Sequence, residues 1–298
     1  MNIDYPQLEA LAQIIDAQSF EKAAERLCIT QSAISQRLRQ LEKQVGQRLI
    51  IRANPPTLTE AGVQALKYFR QVSLLQQDFL NTLAGSKSEG RTSIAIGSNA
   101  DSLATWLLDA LAPLLEQEKL FIEIKVDDQD RTHDLLRNGD VIGCISASSE
   151  PIQGCNCIPL GIMTYRCLIS PSFKQRYFPE GVDVNSLMAA PCVEFNHKDD
   201  LQRQYLSRYF DAIYPAVRHR IPSTESFIDF IARGYGWGMV PDVQSHTWLK
   251  SGKVVELVEG NSLDVPLYWH IWNLRTALSR ELTTALQAQA EKVLTPIN

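Results

Sequence analysis

SFEKAAERLCITQSAISQRLRQLEKQVGQRLIIR, residues 19–52, decides how the rest of the chain is read. Phe20, Ala23, Ala24 and Leu27 recur at helical spacing, with Glu21, Lys22, Glu25 and Arg26 on the other side, so a short amphipathic helix is predicted. Cys28 and Ile29 break that pattern, and Thr30 supplies a hydroxyl placed to cap a second helix. That helix carries Ile34, Leu38, Leu41 and Val45 on its buried stripe. Its opposite face offers Gln31, Ser32, Ser35, Gln36 and Arg39, side chains that hydrogen-bond base edges and phosphates in a major groove. Seven basic residues stand against two acidic ones between positions 22 and 52, in a chain whose net charge is −5. Local positive charge in an acidic protein points to a polyanionic partner.

Upstream, residues 4–17 place Leu8, Leu11, Ile14 and Ile15 at helical spacing and should close a three-helix core. Downstream, residues 49–58 read as a wing: Ile50 and Ile51 are strand-like, and Pro55-Pro56 forces a turn. Arg52 on that wing takes a phosphate-positioning role, which carries affinity but little sequence information. The candidate DNA-contacting set is therefore Thr30, Gln31, Ser32, Ser35, Gln36, Arg37, Arg39 and Arg52. Thr59 can cap the next helix, which runs to about residue 84 without a proline. Leu66, Phe69, Val72, Leu75 or Gln76, Phe79 and Leu83 recur along it as a narrow seam suited to pairing with a second copy. Its length of roughly 35 Å approaches the spacing of paired half-sites on duplex DNA.

Residues 85–90, GSKSEG, form a small polar linker. Beyond it strands alternate with helices: strands at 93–97, 121–126 and 141–146, with helices after the first two. The pattern restarts with a strand at 164–169, followed by 193–195, 217–221, a helix at 225–232, 238–241, a strand at 267–272 and a closing helix at 279–294. Two α/β halves of this kind imply a ligand-binding unit. The whole reads as an α plus α/β protein.

The segments F-x-x-A-A-x-x-L from Phe20, Q-S-A-I-S at 31–35, L-E-x-x-x-G from Leu41 and L-T-x-A-G at 58–62 together resemble the winged helix-turn-helix of LysR-type transcriptional regulators. The second half, 90–298, resembles the two-lobed, periplasmic-binding-protein-like effector domain of the same family. N-A-D-S-L-A-T-W-L-L at 99–108, N-P-P in the wing, C-I-T-Q-S-A-I-S-Q-R at 28–37 and Y-W-H at 268–270 narrow the likeness to a lysine- and arginine-responsive branch. Ile50 departs from the family at large, where phenylalanine is usual. The resemblance implies a winged helix-turn-helix at 1–59, a dimerisation linker helix at 60–84, a hinge at 85–91 and an effector domain at 92–298. Within that domain, lobe 1 takes 92–163 and 269–298, and lobe 2 takes 164–268. It also implies control of basic amino-acid transport or metabolism genes.

Ligands of open parallel sheets sit beyond the carboxyl ends of strands. That places Ser98, Asn99, Asp101 and Ser102 at the cleft mouth, where backbone N–H groups and hydroxyls could cradle a carboxylate. For Asn99 or Asp101 an ordinary helix cap is the competing role. Asp127, Asp128, Ser146, Ser148, Thr224 and Glu225 are the further effector-contacting candidates. The acidic members suit a cationic ligand, although Asp127-Asp128 reads equally well as a solvated turn. Beyond residue 58 the chain has 22 basic and 28 acidic residues, a polarity that fits lysine or arginine.

An enzyme is disfavoured: G-x-S-x-G, H-E-x-x-H and a phosphate-cradling glycine loop are all missing from the sequence. One S-x-x-K, from Ser19 to Lys22, lies inside the helix-turn-helix, and the five histidines have no ligand spacing. Neither cofactor nor metal is expected. Cys155 and Cys157 make a poor zinc signature; reduced bystander thiols are the expected state, with redox sensing the alternative. The N-terminus has no secretory pattern and no apolar run spans a bilayer, so a cytoplasmic location is expected. The expected partners are double-stranded DNA, a second copy in a homodimer or homotetramer, a small effector and, through the bent promoter, RNA polymerase. A DNA-binding inhibitor of replication initiation, or an architectural DNA-binder without ligand control, stays open as the alternative.

Overall fold

A computed structural model describes residues 4–84, 92–116, 120–127, 129–212 and 217–297. The expected hinge at 85–91 and Asp128 lie outside these residues. Helices α1 (Tyr5–Ala17), α2 (Phe20–Arg26) and α3 (Gln31–Val45) close over Leu8, Leu11, Ile14, Ala23, Ile34, Leu38 and Leu41, all buried. Ser19 caps α2 by accepting the Lys22 N–H, and Thr30 caps α3 by accepting the Ala33 N–H at 3.2 Å. Gly46, at φ 77°, ends α3 in the left-handed conformation that glycine adopts most cheaply.

The wing is a pair of two-residue antiparallel strands, β1 (Ile50–Ile51) and β2 (Thr57–Leu58). So short a hairpin needs outside support. The Glu42 carboxylate accepts the Leu49 N–H at 2.9 Å, and the Thr59 hydroxyl donates to the Arg48 carbonyl at 2.7 Å. Gly62, in the first turn of α4 (Glu60–Ala84), lies so close to Leu49 that a Cβ would collide with its carbonyl.

The second half opens with β3 (Thr92–Ser98), which enters a continuous helical stretch of α5 (Ala100–Ser102), a π-helical turn (Leu103–Leu107) and α6 (Leu108–Leu115). Then come β4 (Leu120–Val126), α7 (Gln129–Asn138), β5 (Gly143–Ser146) and the fifteen-residue β6 (Cys155–Ile169). The other lobe holds α8 (Pro171–Tyr177), α9 (Val184–Ala189), β7 (Cys192–Glu194), α10 (Leu201–Phe210), β8 (Arg218–Arg220), α11 (Thr224–Ala232), β9 (Gly238–Pro241), α12 (Asp242–Lys250) and β10 (Val255–Glu256). The chain returns along β11 (Ser262–Trp272) into α13 (Ala277–Val293).

Strand order in the main sheet is β10-β6-β11-β5-β3-β4, with β9 also paired to β6. β3 is parallel to β4 and β5, whereas β11 is antiparallel to both β5 and β6. β6 and β11 thus run through both lobes, paired from Ser262↔Arg166 to Trp272↔Cys155 with a register shift between Leu267 and Tyr268. Trp106, Trp237, Trp269 and Trp272 are almost fully buried in the core on either side.

The sequence pattern exposes only part of this. It predicts strands at 164–169 and 267–272, each the regular half of a longer strand. The hidden halves carry Pro159 and Gly161 in β6 and Pro266 in β11, residues that argue against a strand by composition. Here Pro159 pairs with Tyr268 and Pro266 with Ile162. The helix expected after the second strand is α7, from Gln129, and the short α8, α9, α10, α12 and β10 are not read at all.

Helix α4 docks on the effector half chiefly through Arg70. The Arg70 guanidinium donates to the Gly139 carbonyl at 2.8 Å, to Asp140 at 3.0 Å and to Asp16 of α1 at 2.9 Å. Further along, Asp78 accepts the Ala277 N–H at the start of α13 at 2.9 Å, and Leu74 is buried in the effector core. The predicted seam divides accordingly. Leu66 is buried and Phe69 meets Tyr5 at 5.1 Å between ring centroids, inside the chain's own fold. Leu75, Phe79 and Leu83, one helical turn apart, stay exposed at 45%, 60% and 68%.

Gly139 has φ 78°, and a Cβ there would stand 2.8 Å from the Lys67 Cβ. Gly139→Ala is expected to cost about 1–3 kcal/mol through backbone strain and displacement of α4. Urea unfolding followed by tryptophan fluorescence checks this, since all five tryptophans lie beyond residue 100.

Candidate functional site

Gln31, Ser32, Gln36 and Arg39 are exposed on α3, with Ser35 half-buried among them. Their spacing puts them on one side of the helix, opposite Ile34, Leu38 and Leu41. Thr30 is exposed, but its hydroxyl is committed to the helix cap and to a 2.9 Å hydrogen bond with Ser32. It orients the first turn. Arg37, six residues after Gln31, falls between the buried stripe and solvent, off the face that holds the others. Arg52 is exposed on the wing with its guanidinium 5.7 Å from the Phe20 ring centroid, a cation–π contact that aims it without neutralising it. Glu42, the acidic residue of α3, is turned to the wing by its bond to Leu49. The remaining surface of α3 carries positive charge and short polar donors, the requirements of a major-groove reader.

Between the two lobes of the second half lies a cleft of about 880 Å³. Lobe 1 supplies Asn99, Asp101, Val126, Asp127 and Ala147; the crossing strands supply Tyr165 and Asp264; residues 195–201, Thr224 and Gln244 close the far wall. Of the predicted effector residues, Asn99, Asp101, Asp127 and Thr224 therefore share one cavity. Ser98 and Ser102 are fully buried behind it. The Ser98 hydroxyl donates to the Asn99 carbonyl at 3.0 Å, and the Asn99 amide oxygen accepts the Ser102 N–H at 2.8 Å. The carboxylate cradle expected at this helix start is thus partly closed on itself, by an ordinary cap.

Ser146 and Ser148 line a separate hollow of about 530 Å³ with His133, Asp134, Arg137 and Glu150. Of these three consecutive residues, only Ala147 reaches the main cleft as well. Glu225 is exposed at the start of α11, where it accepts from the Ser223 and Thr224 hydroxyls and leaves the cleft wall.

The acidic groups of the cleft differ in how they are held. Asp264 accepts the Thr164 hydroxyl at 2.7 Å; Asp200 takes Arg203 at 2.6 Å and Gln204 at 2.8 Å. Asp199 accepts the Phe195 and Leu201 N–H groups and the Gln202 amide, at 2.7, 3.2 and 3.2 Å. Burial nonetheless pushes its carboxyl above the usual range. The Asp101 carboxylate takes one hydrogen bond, from the Tyr165 hydroxyl at 2.7 Å. Burial raises it to about 6, the Tyr165 hydroxyl pulls it down, and Asp199 across the cleft raises it further.

Residues 196–200, NHKDD, are not singled out by the sequence pattern, yet they form much of the wall. The strand at 193–195 is legible, and the strand-end rule applied there points to them. Tyr165 has no sequence signal, since its role depends on β6 crossing between lobes.

The winged helix-turn-helix, long connecting helix and two-lobed cleft domain define a LysR-family transcriptional regulator, and the chain belongs to that family. Residues 5–63 match the bacterial regulatory helix-turn-helix protein of the lysR family, and residues 87–292 match the LysR substrate binding domain. Among its relatives, the chain is 41% identical to the HTH-type transcriptional regulator ArgP of Photobacterium profundum, over 98% of both chains. It is 40% identical to ArgP of Salmonella typhi, again over 98% of both. In structure it is similar to ArgP from Mycobacterium tuberculosis, with TM-score 0.90 and 35% identity over 99% of this chain and 100% of that one. Full-length LysG from Corynebacterium glutamicum with bound effector Arg superposes with TM-score 0.79 and 34% identity, over 98% and 100% of the two chains. No helix among the described residues is long and apolar enough to cross a membrane.

Because Asp101 titrates higher folded than unfolded, the folded chain holds that proton more tightly. Its contribution to stability therefore falls as pH rises through about 6. Asp101→Asn should raise the thermal unfolding midpoint of the ligand-free protein at about pH 8, with the gain over wild type shrinking below about pH 6. Thermal scans across that range give the check.

Proposed function

We propose that the protein binds promoter DNA as a dimer, or a dimer of dimers, and adjusts that binding to a basic amino acid, lysine or arginine, held in the interlobe cleft. Residues 1–59 grip DNA, 60–84 pair the copies, 85–91 act as hinge, and 92–298 sense the effector. The observation that carries the effector reading is the cleft itself: Asp101, Asp127 and Asp199 line it from both lobes, and a cationic ligand relieves the charge they concentrate. LysG, similar over nearly the whole chain, is described with arginine bound as its effector. The exposed row Leu75, Phe79 and Leu83 supports pairing with a second copy.

In this mechanism Gln31, Ser32, Ser35 and Gln36 read base edges, Arg39 and Arg52 hold phosphates, Arg37 follows the flanking backbone, and Thr30 fixes the helix start. Closure of the lobes alters the angle between paired copies, and with it the bend of the DNA and access for RNA polymerase. The effector does this only through unequal affinity for the two arrangements. The genes served are those of basic amino-acid transport or metabolism.

Titrating the purified protein with the common amino acids, while fluorescence anisotropy follows binding to its own upstream DNA, tests the effector class. Lysine or arginine should shift the curve and neutral amino acids should not. Arg52→Ala is expected to weaken all DNA sequences alike and lower the salt slope by about one unit, whereas Gln36→Ala changes base preference. Leu75→Asp places a charge in the pairing row, and sedimentation should then report a smaller oligomer.

A further inference from the structure

We propose that Asp101, backed by Asp199 from the opposite lobe, binds the cation at the side-chain end of the effector, and that the α-carbon end lies against the 197–204 segment. This rests on the reading of a basic amino acid as effector and adds its orientation and the residue that sets its specificity.

The cleft acids are held unequally. Asp200 already has a cation, Arg203, and Asp264, with one hydroxyl donor, is exposed to solvent. Asp199 is surrounded by three N–H donors, which stabilise it as an anion without cancelling its charge. Asp101 has one neutral donor, Tyr165, and no cation among the described residues. It is raised by burial and by the facing Asp199. An ionised carboxylate in that position is costly until a counter-charge arrives, and a guanidinium or ammonium provides one with hydrogen bonds attached.

The polarity of the ligand follows from the rest of the wall. The α-carbon end of an amino acid carries opposite charges on neighbouring atoms, so it suits a surface of mixed sign. His197, Lys198, Asp200 and Arg203 make such a surface. The point where Asp101 and Asp199 face one another is of single sign and suits the remote cation. The sequence pattern instead suggests residues 98–102 for the α-carboxylate. That site is disfavoured because Asp101 occupies it and Asn99 has taken the Ser102 N–H.

The test is calorimetric titration of the full-length protein with L-arginine and with L-citrulline, which has the same length but a neutral ureido end. Wild type should favour arginine by about 100-fold or more, the consequence of leaving a buried charge unpaired. Asp101→Asn keeps an acceptor for Tyr165 and should collapse that preference to below about 10-fold while citrulline affinity holds. Asp199→Asn should reduce the preference by less, and decides the matter if Asp101→Asn does not fold. An arginine preference that survives in both variants overturns the proposal. So does an equal loss of arginine and citrulline, which would put the α-ammonium on Asp101 instead. If wild type binds neither lysine nor arginine, the effector reading itself fails and the orientation falls with it; if wild type binds them and only the variant result fails, the effector reading stands.

Discussion

The pairing of β6 with β11 is the constraint on which the effector half depends. Each strand passes through both lobes, so the lobes share one continuous antiparallel ladder and are not joined by loose connections. Such a ladder resists shear along its length but can flex where its register is broken. The shift between Leu267 and Tyr268, beside Gly161 at φ 151°, is such a place. The same crossing delivers Tyr165 and Asp264 to the cleft floor, so part of the cleft lining and the lobe connection belong to the same two strands.

Charge is distributed in a complementary way. On α3 the acidic Glu42 is folded into the base of the wing, which leaves Arg39 and Arg52 to act outward. In the cleft Asp199 and Asp200 have several donors, whereas Asp101 has the Tyr165 hydroxyl alone. The two ends of the molecule therefore differ in local charge, positive along α3 and the wing and acidic in the cleft. A net charge of −5 conceals this division entirely.

How much was legible follows from the range of each signal. The helix-turn-helix is local: Phe20, Ala23, Ile34 and Leu38 reveal their helices by spacing, and Thr30 and Gly46 mark the boundaries of α3. The strand ends at Ser98 and Val126 are also readable, which is why Asn99, Asp101 and Asp127 meet in one cavity. What stays hidden is non-local. Pro159 and Pro266 sit within long strands because each is paired across the crossing, a tertiary effect no propensity scale contains. Ser146 and Ser148 line a second hollow while Ala147 between them reaches the cleft, a difference set by how the chain leaves β5. Arg37 groups with its neighbours in sequence, although helical periodicity turns it aside.

The joint between the halves completes the physical picture. Arg70 ties Asp16 of the DNA-binding core, its own linker helix, and the Gly139–Asp140 turn that follows α7. That turn leads directly into β5, whose end supplies Ala147 to the cleft. A guanidinium with three oxygen partners holds direction as well as charge, and Gly139 lets the backbones approach to a distance that no side chain would permit. Lobe 1 therefore has a direct hydrogen-bonded connection to α4 and α1. Coupling through this route requires that lobe position and DNA-binding geometry each have discrete alternatives that share it. The register shift of the ladder lies at one end of this route, and the exposed row Leu75, Phe79 and Leu83 on α4 lies at the other.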